Sequence, residues 1–214
     1  MEAARVRTAA LILGLRTMGI ADRRVLNAME TVPREPFVPE EWCDQAYEDR
    51  ALPIACGQTI SAPSVVAQMS AALEVGDRHT VLEIGTGTGY QAAILARLAR
   101  RVTTIDRYRT LVKAAEARWQ ALGLTNITAI VADGTQGWPR QAPFDRILVT
   151  AASEKAPSRL VAQLVDGGIL VAPVGPVDGV QRLTAFRKEG TRVETRDLGG
   201  VRFVPLMEGV AQNL

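Results

Sequence analysis

The sequence is poor in the side chains that metal and imidazole chemistry require. Of 214 residues one is histidine, His79, and two are cysteines, Cys43 and Cys56. That set cannot build a zinc centre, which takes three or four nitrogen and sulfur ligands, so no metal is expected. A Cys43–Cys56 pair is the one disulfide open to the chain, but nothing else suggests secretion, and reduced thiols in a cytoplasm are expected. Long apolar runs are also missing: none approaches the ~20 residues of a membrane-spanning helix. The run Ala9–Leu15 is broken by Arg16 and lacks a small-residue cleavage site, so it reads as helix and not as a signal peptide. Charge of one sign is lacking as well. Twenty-five Lys and Arg against 23 Asp and Glu leave a net +2, too mild to argue for nucleic acid. No internal repeat or low-complexity segment is present. What remains, 47% hydrophobic and 22% charged residues, is ordinary globular usage.

At this length one domain can bury a full core. Residues 3–18 carry arginines and apolar residues at helical spacing, and Asp22 is placed to cap a second helix through Val25, Leu26 and Met29. Pro33, Pro36 and Pro39 then hold the chain extended, and a short helix is expected over 40–46. Residues 47–63 form a long aperiodic loop, too apolar for disorder and therefore expected to be functional. A helix follows over 64–73. From Thr80 onward strands alternate with helices: strands at 80–84, 101–106, 127–132, 144–150 and 168–172, helices after the first strand and at 111–122 and 158–165. That alternation predicts an α/β fold with a doubly wound, mostly parallel sheet. Two strand-like runs near 181–188 and 201–206 predict a hairpin closing the sheet edge. The expected division is a single domain, 1–214: N-terminal helices and an active-site loop to residue 75, a βαβ core over 76–175, and C-terminal strands over 176–214.

The chain is organised around Val81-Leu82-Glu83-Ile84-Gly85-Thr86-Gly87-Thr88-Gly89-Tyr90. A β-branched apolar run, three glycines at alternate positions and a helix-period pattern read as strand, tight turn and helix N-terminus. Glycines suit such a turn because it needs positive φ and because no Cβ then stands between backbone and ligand. A dinucleotide fingerprint would place a glycine where Tyr90 stands. Glu83, two residues before the first glycine, would repel a pyrophosphate and suits a ligand carrying positive charge. S-adenosylmethionine, with its sulfonium and ammonium groups and no phosphate, fits. Asp106 ends the second strand about 20 residues on, where a carboxylate can accept both ribose hydroxyls. Asp133-Gly134 ends the third strand, where an acid can take a hydrogen bond from an exocyclic adenine amine. Thr86 and Arg107 flank these positions and complete the expected cofactor contacts.

The acceptor is narrowed by chemistry. After the fourth strand stands Thr150-Ala151-Ala152-Ser153, not the Asn/Asp-Pro-Pro-aromatic run common among enzymes that methylate exocyclic amines of bases. A hydroxyl or thiol acceptor needs a base or metal, and His79 falls before the first strand, at the end opposite the ligand. A carboxylate is already ionised at neutral pH and needs only desolvation and alignment, for which Thr59 and Ser61 offer hydroxyls. Ser61 has a competing role as an N-cap or turn residue ahead of the 64–73 helix.

Four segments of the N-terminal third, Arg24–Met29, Val32–Val38, Ala46–Ile54 and Gly57–Pro63, resemble protein-L-isoaspartate O-methyltransferases, as do 82–90, 143–145, 167–171 and 202–206 in order. The Gln58-Thr59-Ile60-Ser61-Ala62-Pro63 segment is the specific part, since other class I methyltransferases lack it. The resemblance implies methyl transfer from S-adenosylmethionine, leaving S-adenosylhomocysteine, to the α-carboxylate of L-isoaspartyl residues in damaged proteins and peptides. The ester would then collapse to a succinimide unaided. It implies Ser61 as the active-site residue, Gln58 and Thr59 closing over cofactor and substrate, and Val204, Pro205 and Leu206 contacting the peptide. It also implies a Rossmann-like seven-stranded sheet with an altered order of the last two strands. At Ala55-Cys56 the chain departs from relatives, which often carry glycine there. A cytoplasmic monomer with no nucleic-acid or membrane partner is expected. The alternative is a class I methyltransferase acting on RNA or a small molecule.

Overall fold

The computed structural model describes residues 2–211; the outermost ends of the expected domain, Met1 and residues 212–214, lie outside the described residues. Helix α1 spans Glu2–Thr17 and α2 Arg23–Thr31. Asp22 caps α2 as expected, its Oδ1 accepting from the amides of Arg24 at 2.9 Å and Val25 at 3.2 Å. Two 3₁₀ turns, Glu35–Phe37 and Glu40–Gln45, carry the proline-rich stretch. The long loop is not irregular throughout: β1 (Leu52–Pro53) and β2 (Thr59–Ile60) pair antiparallel about a tight 3₁₀ turn. Helix α3 (Pro63–Ala72) starts on its proline, a residue that lacks only an amide the first turn leaves free anyway.

The main sheet then forms from β3 (Thr80–Ile84), α4 (Tyr90–Ala96), β4 (Arg101–Asp106), α5 (Arg109–Ala121), β5 (Ile127–Val131), β6 (Phe144–Val149), α6 (Ser158–Val161), β7 (Leu164–Val174), β8 (Gln181–Glu189) and β9 (Arg192–Val201). Its order is β5-β4-β3-β6-β7-β8-β9, parallel from β5 through β7, with β8 antiparallel to both β7 and β9. The last two strands therefore follow chain order across the sheet. Alternate residues of each central strand feed two apolar clusters, as the two-residue period of a pleat requires. Val81, Val102, Leu148 and Val171 meet the N-terminal helices through a cluster that reaches Leu11, Ile12 and Leu15 of α1. Leu82, Ile105, Ile147 and Leu170 meet α6 on the other face. The chain leaves β3 toward β4 and β5 and later returns beside β3 as β6, so the order reverses between β3 and β6. In open α/β sheets the crevice outside the strand ends at that reversal receives the ligand.

Three expectations are corrected. Helix α6 stops at Val161 instead of running to Val165, because Leu164 already pairs with Phe144 as the first residue of β7. The second strand of the edge hairpin is β9 and not residues 201–206. Most of β9 is solvent-exposed, so it carries little of the apolar alternation that marks a half-buried strand. The apolar run 201–206 instead crosses the carboxyl end of the sheet, where Ala152 donates to the Val204 carbonyl at 2.8 Å and Leu206 to the Ala152 carbonyl at 2.7 Å. Finally, α1 forms where expected but is apolar on more than one side, with Val6 and Leu13 exposed.

Candidate active site

The turn from β3 into α4 makes the floor of a cleft at the carboxyl end of the sheet. The amides of Gly85 and Thr86 donate to the Ile105 carbonyl at 2.8 and 3.2 Å, and Gly89 donates to the Thr86 carbonyl at 2.8 Å. Two glycines are required by protein neighbours as much as by any ligand. Gly85 has φ +100°, and a Cβ there would lie 2.2 Å from Thr150 Oγ1, which donates to the carbonyls of Ile84 and Gly85. Gly89 has φ +90°, and its Cβ would strike the Trp119 indole at 2.7 Å. Trp119 Nε1 in turn donates to the Gly89 carbonyl at 2.9 Å, so α5 grips the turn from behind.

The cleft encloses about 960 Å³ including its open mouth. Gln58, Thr59 and Ser61 from the long loop line it, with Gly85, Thr86, Gly87, Asp106, Arg107, Gly134, Val204, Pro205 and Leu206. Three expected residues do not. Gly89 is taken up by Trp119. Asp133 turns its carboxylate back to cap its own turn, accepting from the Thr135 amide at 2.9 Å and hydroxyl at 2.7 Å, which holds its pKa low against the opposing effect of burial. Glu83 is fully buried in β3 beside Thr104 of β4. The hydroxyls of Thr86 and Thr104 lie 2.8 Å apart, and Thr104 donates to Glu83 Oε2 at 2.5 Å, while Oε1 has no partner. Burial pushes this carboxyl up to about 8, with Asp106 nearby adding to the rise and the Thr104 bond opposing it. A mostly protonated Glu83 at neutral pH removes the charge argument that pointed from it to a cationic ligand.

Asp106 stands at the end of β4, largely buried. Its Oδ2 accepts from the Gly87 amide and Oδ1 from the Tyr108 amide, each at 2.9 Å. Burial raises its pKa and these backbone donors work against the rise. A cleft floored by glycine backbone, with such an acid at its edge and room for a nucleoside, fits S-adenosylmethionine.

In the same cleft, the Ser61 carbonyl accepts from Arg34 Nη2 at 2.7 Å. Among the described residues its hydroxyl caps nothing: Ala62 is the N-cap of α3 without a side-chain bond, and the Ser64 amide goes to Asp49 Oδ1 at 2.8 Å. The competing structural role for Ser61 is therefore filled by Asp49. His79 lies at the far end of β3, where its Nδ1 accepts from the Gly76 amide at 2.8 Å; burial and Arg146 lower its pKa. Cys43 and Cys56 are free thiols.

Sequence reasoning missed Tyr108, Thr150, Phe203 and Met207, which also line the cleft. Tyr108 was within reach, two residues past the Asp106 strand end. Phe203 and Met207 were not, because their place depends on the tail crossing the sheet; the Phe203 amide is held by Gln181 Oε1 at 2.9 Å.

A seven-stranded sheet reversed at β3/β6, a glycine turn after β3 and an acid closing β4 define the class I methyltransferase fold. The family model described as protein-L-isoaspartate(D-aspartate) O-methyltransferase matches residues 6–211, and the chain belongs to that family. It is 57% identical over 210 residues to the protein-L-isoaspartate O-methyltransferase of Azorhizobium caulinodans, covering 98% of this chain and 97% of that one. The Parvibaculum lavamentivorans protein of the same name is 56% identical, with 94% and 92% covered. A Plasmodium falciparum structure, described as a putative protein-L-isoaspartate O-methyltransferase in complex with S-adenosyl-L-homocysteine, superposes with a TM-score of 0.80 at 25% identity, covering 92% of this chain and 97% of that one. Another structure named protein-L-isoaspartate O-methyltransferase gives 0.83 at 27% identity; 92% of this chain spans 65% of it.

Proposed function

We propose that this protein transfers the methyl group of S-adenosylmethionine to the α-carboxylate of L-isoaspartyl residues in proteins and peptides, with Ser61 aligning the acceptor. The observation that carries the residue-level reading is the Ser61 hydroxyl, uncommitted among the described residues in the cleft it shares with the glycine turn. Bound S-adenosylmethionine supplies an electrophilic sulfonium methyl. The glycine turn, Asp106 and Arg107 would hold it, with Gln58 and Thr59 closing over the bound pair. Ser61 would donate to one acceptor oxygen and leave the other free for in-line attack, so the work is orientation and exclusion of water. No general base is required, because the acceptor is ionised near pH 4 and above. Val204–Leu206, crossing the sheet end, offers backbone at the rim for the peptide. The backbone amide nitrogen of the next residue, bonded to the isoaspartyl side-chain carbonyl, then attacks the ester carbonyl, methanol leaves with that nitrogen's proton, and the succinimide forms without further help.

Two finer readings belong with this proposal: a cytoplasmic setting, supported by two free thiols, and a monomeric state. The deciding experiment is transfer of labelled methyl to paired synthetic peptides, one with L-isoaspartate and one with aspartate. Base-labile label on the isoaspartyl peptide alone is expected. Ser61→Ala should lower turnover by about 10²-fold while S-adenosylhomocysteine affinity stays within a factor of about two; normal turnover would remove Ser61 from the mechanism.

A further inference from the structure

Arg34 is the largest side chain with no exposure to solvent. Its Nε donates to the Ala46 carbonyl at 2.8 Å and its Nη2 to the Ser61 carbonyl at 2.7 Å. The guanidinium lies 4.7 Å from the centroid of the Tyr90 ring, and Nη1 has no partner. Among the described residues no carboxylate comes within ion-pair distance of it. Glu35, next in sequence, is held by the Tyr47 hydroxyl at 2.6 Å and by Arg7 at 3.1 Å, and Asp49 is held by the Ser64 amide. A buried cation with no direct ion pair, and only the more distant Asp49 carboxylate to offset its charge, opposes folding, and an apolar side chain of similar volume would serve stability better. What an apolar side chain cannot do is hold Ser61.

The neighbours of the guanidinium give that bond its meaning. Tyr90 is the first residue of α4 after the glycine turn, and Ser61 belongs to the segment that leads into α3. Both line the cleft, and Arg34 lies between them from behind. We propose that Arg34 is a positioning residue for methyl transfer, fixing the Ser61 segment against the Tyr90 end of the cofactor turn. This rests on the reading of Ser61 as the residue that aligns the acceptor. In-line transfer tolerates little misplacement, and a planar fork that spans two carbonyls sets a wall more firmly than a single-point ammonium.

The test is a double-mutant cycle with Arg34→Lys and Ser61→Ala, scored by kcat and KM for an isoaspartyl peptide, S-adenosylhomocysteine affinity and thermal melting. Arg34→Lys is expected to stay folded, to bind S-adenosylhomocysteine within about threefold of the parent, and to lose about tenfold or more in kcat with a smaller change in KM. The double variant should be no slower than Ser61→Ala alone, since Arg34 acts through Ser61. A folded Arg34→Lys with kcat within about twofold of the parent, or losses that multiply in the double variant, would overturn the proposal. Arg34→Met fills the volume without a donor. If it and Arg34→Lys both melt below assay temperature, the arginine serves the fold alone and the proposal fails. A normal Ser61→Ala would defeat the underlying reading instead, and the two failures are told apart by which single variant keeps its rate.

Discussion

Asp106 meets the cleft with two backbone amides already on its carboxylate, which fixes the rotamer before any ligand arrives. Asp106→Ala should therefore weaken S-adenosylhomocysteine binding by about 1.5–3 kcal/mol, the scale of a hydrogen bond to a charged group, and calorimetry measures it directly. Glu83 predicts the opposite kind of effect. Its folded pKa of about 8 lies above the ordinary glutamate value of 4.5, so the folded state holds a proton that the unfolded chain releases. Stability must then fall as pH rises from about 4.5 to 8, by a few kcal/mol in all. Glu83→Gln keeps an acceptor for Thr104 and loses the titration. Melting curves at pH 5 and pH 8 should show the variant gaining on the parent at the higher pH, and a constant difference would refute the burial argument. Asp106 and Ser61 were legible in the sequence because a strand end and a motif place them. The state of Glu83 was not, because its neutrality comes from complete burial in the folded sheet, with Asp106 of the adjacent strand nearby, against the opposing bond from Thr104.

Among the elements, two turns behave differently under the same substitution logic. Cys56 sits at φ +61° in the β1–β2 connection, a left-handed conformation that costs a side-chain-bearing residue about 1–2 kcal/mol. Cys56→Gly should raise the melting temperature slightly or leave it unchanged, since relief of strain is offset in part by entropy gained in the unfolded chain. Gly89→Ala should lower stability by about 1–3 kcal/mol, from strained φ and the collision with Trp119. Denaturant titration compares the two. Strands β3 to β6 were readable from sequence because each is a short run rich in β-branched and apolar residues, set off by glycines, prolines and helix-period segments. Strand β9 was not, since it is an exposed edge, and the apolar run mistaken for it owes its composition to the sheet end it crosses.

For the whole molecule, a single apolar cluster that reaches from α1 to β8 and the end of β9 implies one cooperative transition, with N-terminal helices and sheet melting together in calorimetry. Resolved melting of the helices ahead of the sheet would contradict it. The outer strand of that sheet has a consequence of its own. β9 presents Arg192, Glu194, Arg196 and Asp197 to solvent, with its register against β8 slipping near Asp197 just before Gly199 and Gly200. Mixed charge and an irregular rim make a poor template for a visiting strand. The β9 edge of the sheet therefore offers little purchase for edge-to-edge pairing with a strand of another polypeptide.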